Sequence, residues 1–361
     1  VGELITTSYS SEAALVDIRH VSFGSNVTSI GNNAFYEASS LTSITIPASV
    51  TSIGRFVFYK ASSLTSVTFE ANSQLTSIGN GAFYNTSSLT SINIPASVTF
   101  FDLSIFTNTG FTDVLYSENN TILVYYPPSL TATEFAIPTT VTSIASSAFN
   151  GVTKLTSITI PETVTSIGDG AFSGATSLAS INIPEGVTYI GTNVFAGSGI
   201  TDVLYNENNT MLVYYPPSLT ATEFAIPTTV TSIASSAFYG ASSLTSITIP
   251  DGVITIHTNA FYGATSLTSV TFEANSQLTS IGASAFRDAT SLTSITIPSH
   301  VTMISSSAFN VSGLTTVVIA DGQLDGVVSP ATNVDFFGAI VNTILPPIPT
   351  TFTLNDDSTV E

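Results

Sequence analysis

The sequence predicts a repeat solenoid, right-handed in type: about fourteen coils of 20–25 residues wound around one long parallel β-sheet, mostly strand and loop with few helices. Three observations carry this. Phenylalanines recur at 35, 58, 83, 106, 149, 172, 195, 238, 261, 286 and 309, with spacings of 23, 25, 23, 43, 23, 23, 43, 23, 25 and 23, and each 43 divides into a 20-residue coil plus one of 23. Between them runs an alternating apolar pattern with the period of a strand. Finally, 43% of residues are apolar but only 8% are charged, so Ser, Thr and Asn must cover the outside of a continuous core.

Residues 41–64 show how one coil is built. Leu41, Ile44 and Ile46 follow L-x-x-I-x-I, which points Ile44 and Ile46 to one face and Ser43 and Thr45 to the other. Pro47 ends the strand because it has no N–H to donate. Val50 and Ile53 form a second apolar step, Gly54 permits a turn, Val57 and Phe58 fill the far side, and Ala61 and Leu64 lead into the next coil. A lone coil cannot bury such a wedge, whereas stacked coils can. Strands are expected from Ile18–Phe23 through Leu314–Ile319, giving a sheet roughly 65–70 Å long at about 4.8 Å per strand. Two coils of 25 residues carry Glu70–Gln74 and Glu273–Gln277 where others have three residues, and these read as two-residue bulges in one loop.

A larger unit is duplicated. Residues 112–149 match 201–238 at 36 of 38 positions, with an offset of 89, which equals four coils. Solenoids tolerate such duplication because each coil contacts only its neighbours.

The motif I-P-x-x-V-T-S-I-G-x-x-A-F-x-x-x-x-S-L-T-S-I-T-I-P, represented by Ile46–Pro47 and Thr51–Phe58, resembles the BspA-type leucine-rich repeats. The variant coil V-L-Y-x6-L-V-Y-Y-P-P at Val114–Pro128 and Val203–Pro217 resembles the same family, and the likeness covers about residues 18–319. It implies a leucine-rich-repeat horseshoe or rod, found on cell surfaces or secreted, with a role in adhesion to matrix proteins or cells. The family commonly has Cys three residues after the Phe. Here Ala38, Ala61, Thr86, Val152, Ala175, Ala241, Ala264 and Ala289 stand instead, which preserves packing and removes thiol chemistry.

Charge narrows the partners. With 24 acidic residues against five Lys and Arg, the net charge of -19 opposes nucleic acid and anionic lipid. The scattered acids keep an apolar-cored repeat soluble; weak calcium binding is the one metal chemistry they permit, and no cofactor is expected. Cysteine is absent, which excludes disulfides, zinc–thiolate sites and thiol nucleophiles. The longest late apolar stretch, Phe336–Leu345, is far short of the roughly 20 residues of a span.

No catalytic constellation is present. His20, His257 and His300 are isolated, no G-x-S-x-G elbow occurs, and the acids fall singly in successive coils. The candidate ligand surface is the outward strand ladder, Ser43, Thr45, Ser66, Thr68, Ser157, Thr159, Ser246 and Thr248, continued by Ser91/Asn93, Ser180/Asn182, Ser269/Thr271 and Ser294/Thr296. A hydroxyl-lined face suits glycans or an extended protein; equally, Thr is simply favoured on solvated strands. The variant coils add Tyr116, Tyr125 and Tyr126, near Asp113 and Glu118, and Tyr205, Tyr214 and Tyr215, near Asp202 and Glu207. Tyrosines are effective contact residues, and the alternative is that they pack over a shortened coil. Asn26, Asn85, Asn119, Asn208 and Asn310 head N-x-S/T sequons, glycosylation sites in a host equipped for it.

The expected organisation is an N-terminal cap over 1–17 with a short helix at Ser11–Leu15, the solenoid over 18–319, a C-terminal cap over 320–345, and a linker and tail over 346–361. The expected function is a non-catalytic extracellular or cell-surface binding protein whose partner is a protein or glycan. The alternative is a structural subunit of an extracellular filament, coat or matrix that self-assembles through solenoid ends.

Overall fold

A computed structural model describes residues 2–4, 17–24, 26–305, 307–320 and 340–344. The helix expected at Ser11–Leu15 and the linker and tail over 346–361 lie outside the described residues. The chain divides into two compact units, residues 1–216 and 217–361, each a β-solenoid. Together they make about 13 turns with parallel sheets, and no helix forms among the described residues.

The coil follows the sequence logic. In the strand Ser43–Ile46, Ile44 and Ile46 are buried and Ser43 and Thr45 exposed. This strand pairs in parallel with Ser66–Phe69, aligning Ser43 with Ser66 and Thr45 with Thr68. In unit 2, Ser246–Ile249 pairs with Ser269–Phe272 in the same register. Leu41, Val50, Ile53, Val57, Phe58, Ala61 and Leu64 are all buried, at 2% exposure or less.

The residue three after the Phe is buried in eight of the eleven Phe turns. Ala38, Ala61, Thr86, Val152, Ala175, Ala241, Ala264 and Ala289 are 0–1% exposed. Thr86 hides its hydroxyl there by donating to the Phe83 carbonyl at 2.7 Å.

A recurrent turn carries each phenylalanine. Its flanking positions, two before and two after the Phe, hold left-handed backbone: Asn33 and Glu37 around Phe35, Gly81 and Asn85 around Phe83, Gly170 and Gly174 around Phe172. Gly and Asn recur there because other residues pay steric strain at positive φ. The turns bond directly to one another across coils, as when Phe35 N–H donates to Val57 C=O at 2.9 Å and Phe58 N–H to Ala82 C=O at 2.7 Å. Stacked turns therefore form a hydrogen-bonded ladder of their own.

Stacking the turns stacks the rings. In unit 1, Phe149, Phe172 and Phe195 stand with centroids 5.1 and 5.5 Å apart. In unit 2, Phe238, Phe261, Phe286 and Phe309 are spaced 4.7, 5.0 and 5.3 Å, with interplanar angles of 10° or less.

The expectation of one long sheet is corrected in two ways. First, the V-T-S-I step is itself a strand, so each ordinary coil contributes to a second parallel ladder. In unit 1 the strands Gly2–Leu4, Val27–Ile30, Ser52–Ile53, Ser77–Ile78 and Phe100–Phe101 form one such ladder. Second, the L-x-x-I-x-I ladder comes in short sets. The pair Ser43–Ile46 and Ser66–Phe69 stands alone, and in unit 2 Glu223–Ala225, Ser246–Ile249 and Ser269–Phe272 are separate from Ser294–Thr296, Thr316–Ala320 and Ile340–Ile344. The breaks after Phe69 and Phe272 coincide with the 25-residue coils.

Of the expected strands, Ile18–Phe23 does not form, Leu89–Ile94 and Leu178–Ile183 are reduced to single bridges at Ile94 and Ile183, and Phe111–Tyr116 and Ile200–Tyr205 differ in direction. Leu115–Tyr116 turns back through residues 117–121 and pairs antiparallel with Ile122–Tyr125, as Leu204–Tyr205 does with Met211–Tyr214. The shortened coil lacks the length for a full circuit and closes as a hairpin instead.

Candidate binding surface

The outward strand positions are exposed as expected. Ser43, Thr45, Ser66, Thr68, Ser157, Thr159 and Thr248 face solvent, and Ser246 is half-buried. They are grouped rather than continuous. Ser157 and Thr159 lie beside Glu134 and Ala136, and Ser246 and Thr248 lie between Glu223 and Ala225 on one side and Ser269 and Thr271 on the other. Glu134 and Glu223 are therefore members of the hydroxyl face, one in each unit, at outward positions the motif L-x-x-I-x-I does not flag.

Other threonines are committed to the stack. The hydroxyls of Thr65, Thr156, Thr245 and Thr268 donate to the carbonyls of Thr42, Thr133, Thr222 and Thr245, one coil back, at 2.9–3.0 Å. A second column runs beside the V-T-S-I step, where Thr51, Thr76, Thr165 and Thr279 donate to Thr28, Thr51, Thr142 and Ile254 at 3.0–3.3 Å. Much of the threonine repetition thus ties coil to coil, and the remainder faces outward.

The variant-coil tyrosines require correction. Tyr125, Tyr126, Tyr214 and Tyr215 are 7, 1, 8 and 1% exposed, which makes them core residues and not a contact surface. Where the shortened coil has no Phe turn, adjacent tyrosines bridge the aromatic column: Tyr125 meets Phe106 at 6.1 Å, and Tyr126 stacks on Phe149 at 5.3 Å. Burial pushes the Tyr125 phenol up to about 12 and raises Tyr126, Tyr214 and Tyr215 as well. Tyr116 and Tyr205 are half-buried, and burial raises both.

The sequons fall into two kinds. Asn26, Asn119, Asn208 and Asn310 are exposed, while Asn85 is half-buried and accepts from Asn108 Nδ2 at 2.9 Å. Asn119 Oδ1 organises its hairpin turn by accepting from Ser117 Oγ at 2.8 Å and Thr121 Oγ1 at 2.9 Å.

Surface features beyond these expectations are aromatic. Tyr36, Tyr59 and Tyr84 stack on the outside at 4.8 and 5.5 Å, with the Lys60 ammonium 5.3 Å from the Tyr59 ring and bonded to Glu37 at 2.9 Å. Phe100 and Tyr189, separated by the same offset of 89 but ahead of the duplicated unit, are 57 and 56% exposed where neighbouring coils place serine. Their signal was departure from the V-T-S-I consensus. Among the described residues, no three of His, Asp and Glu gather as a metal site, and no helix is long and apolar enough to cross a membrane.

Coils with an L-x-x-I-x-I strand, a capping proline and a phenylalanine turn define a leucine-rich-repeat solenoid. The chain belongs to the BspA type leucine rich repeat family, whose six-copy model matches residues 13–127, 124–216 and 214–325. It is similar to a leucine rich cell surface protein from Faecalibacterium prausnitzii, at 33% identity over 83% of this chain and 79% of that one, with a TM-score of 0.44. It is also similar to a leucine-rich repeat protein from Eubacterium ventriosum, at 29% identity over 86% and 88% of the two chains, with a TM-score of 0.43. Comparison with curated proteins finds no match.

Proposed function

We propose that the chain is a non-catalytic binding protein of the cell surface or extracellular space, which offers its hydroxyl-lined strand faces to a protein or glycan. The observation that carries this is the exposure, in register, of Ser43, Thr45, Ser66 and Thr68 in unit 1 and of Thr248, Ser269 and Thr271 in unit 2. Such a face offers hydroxyl donors and acceptors at the strand spacing, with the Glu223 carboxylate at one edge in unit 2. A surface with few cations and no thiols also suits an oxidising exterior.

The test is binding of the purified chain to arrays of glycans and matrix proteins, repeated with Thr45→Lys/Thr68→Lys and Thr248→Lys/Thr271→Lys. Loss of a signal in either double variant with unchanged thermal unfolding supports the reading. Retention of every signal in both removes the hydroxyl faces from it.

A second reading, a subunit of an extracellular filament or coat, is favoured by the positions of Gly2–Leu4 and Ile340–Ile344. Among the described residues each is the last strand of its sheet, and such an edge is a template for another chain. Light scattering and negative-stain imaging across protein concentration, with and without calcium, separate the two. Ordered polymers favour assembly, and monomers at every concentration favour binding.

A further inference from the structure

The two 25-residue coils carry the same bulge, and its internal geometry repeats bond for bond. Glu70 N–H donates to Ile46 C=O at 3.0 Å, as Glu273 N–H does to Ile249 C=O at 3.0 Å. The Glu70 carboxylate accepts from Ala48 N–H at 3.0 Å, and that of Glu273 from Asp251 N–H at 3.1 Å. Gln74 and Gln277 side chains donate to Asn72 and Asn275 carbonyls, and both asparagines hold left-handed φ, 60° and 65°. What differs is the next coil. After the first bulge, Ser97 Oγ donates to the Ser73 carbonyl at 3.1 Å and ties the coil to the bulge. Ser49 and Thr163 make the same kind of tie, to Val27 and Val141 carbonyls, at 2.7 Å each.

After the second bulge the matching position is His300, which has no hydroxyl for this bond. A pocket of about 410 Å³ opens there, bounded by the bulge on one side and by residues 296–300 on the other. Its position in the fold is the break between the strands Ser269–Phe272 and Ser294–Thr296. Half-buried Phe272 and Pro298 supply its apolar wall. Glu273, Asn275, Thr296 and His300 surround that wall with a carboxylate, an amide, a hydroxyl and an imidazole.

We infer that this pocket binds a neutral hexopyranose unit of a glycan. Its volume falls within the range of about 300–1,000 Å³ typical of small-ligand sites. A pyranose has an apolar C–H face to set against Phe272 and Pro298, and a rim of hydroxyls that both donate and accept. The four polar side chains also provide donors and acceptors, and the bond from Asp251 N–H orients the Glu273 carboxylate. One carboxylate beside one imidazole is a poor match for an anionic ligand. The inference rests on the reading of the chain as a binding protein, and names a ligand class for a site that shares Thr271 and Thr296 with the outward hydroxyls of unit 2.

The experiment is saturation-transfer NMR on the full chain with a panel of methyl hexopyranosides, comprising glucosides, mannosides, galactosides and N-acetylglucosaminides. At least one member should receive saturation. His300→Ser, which places there the residue that follows the other bulge, should weaken its binding by roughly tenfold, as expected for a lost hydrogen bond. Asn275→Gly, which keeps the left-handed backbone and removes only the amide, should weaken it too. Ser97→Ala, in the coil after the other bulge, should leave it unchanged. Absence of transfer to every glycoside, or equal transfer in wild type and both pocket variants, overturns the assignment. If array binding through the unit 1 hydroxyls of Thr45 and Thr68, which lie outside the pocket, persists in that case, the pocket assignment fails alone and the binding reading stands.

Discussion

The hydroxyl of Thr268 donates to the carbonyl of Thr245 at 2.9 Å, one coil back, while Thr271, three residues on, faces outward in the strand. Two threonines of one strand region thus do different work. Thr268→Val should cost about 1 kcal/mol, because the Thr245 carbonyl loses its side-chain donor. Thr271→Val should change stability by less than about 0.5 kcal/mol, as a surface replacement with a good strand former. Urea unfolding of both variants checks this, and equal costs would mean that the inter-coil bond contributes nothing.

Phe172 is fully buried between Phe149 and Phe195. Removing its ring leaves a cavity that neighbours on both sides cannot fill, since their turns are tied by backbone bonds such as Phe172 N–H to Val194 C=O at 2.9 Å. Phe172→Ala should therefore cost about 3–5 kcal/mol. Amide exchange should show the coils around residues 149–195 losing protection first. An unfolding midpoint that barely moves would contradict the stacking account.

The parts of this fold legible in sequence are those with a simple period. Phe58, Phe172 and Phe261 announced the core because one residue type recurred at a fixed interval, and Ile44 and Ser43 announced their faces by alternation. The V-T-S-I strand is not legible in sequence because Ser52–Ile53 is two residues long, too short for any alternation to show. The hairpin of Leu115 with Tyr125 was hidden because a parallel strand and a returning one have the same local composition. Tyrosine burial was undecidable from type alone, since Tyr125 reads equally as contact and as core until the missing Phe turn is placed. His300 carried no local signal. Its meaning lies in the hydroxyl that Ser97 supplies in the other bulge, which only the hydrogen bond to Ser73 reveals.

The buried Tyr125 phenol gives an alkaline prediction. Burial raises it from 10.0 to about 12, so the folded state holds its proton where the unfolded state has released it. Its contribution is present in full below about pH 10 and is lost as pH rises toward about 12. Stability should accordingly fall across that window. Tyr125→Phe, which has no proton to lose, should narrow the difference between urea midpoints at about pH 8 and about pH 11. An undiminished difference would place the alkaline sensitivity elsewhere.

After Phe195 the return to the next strand is one residue shorter than after Phe172, and Gly199 makes this possible. A Cβ there would stand 2.3 Å from the Thr176 carbonyl oxygen, a backbone atom that cannot swing away. At Gly151 a Cβ meets nothing within 4 Å, and only its φ of +70° resists a side chain. Gly199→Ala should cost about 1–3 kcal/mol or more through forced backbone movement. Gly151→Ala should cost only about 1 kcal/mol of conformational strain. Thermal melts that rank the two variants the other way would show that the short return is not held by close approach to Thr176.

Val311 occupies the left-handed position two residues after Phe309, at φ 57°, where other coils have Gly174, Gly240, Gly263, Asn85 or Asp288. A β-branched residue is the least suited to that backbone, because both γ-methyls crowd the neighbouring peptide. Nor does burial compensate, since Val311 is 59% exposed. Val311→Asn relieves the strain and lets the side chain bond locally, so it should raise stability by about 1 kcal/mol. Val311→Ala, which keeps a Cβ but removes the branch, should recover only part of that. Denaturant midpoints in the order Asn above Ala above Val support a strained turn at this coil. No gain from asparagine would mean that the turn around Phe309 relaxes without help, and that its backbone is not the left-handed one found around Phe172.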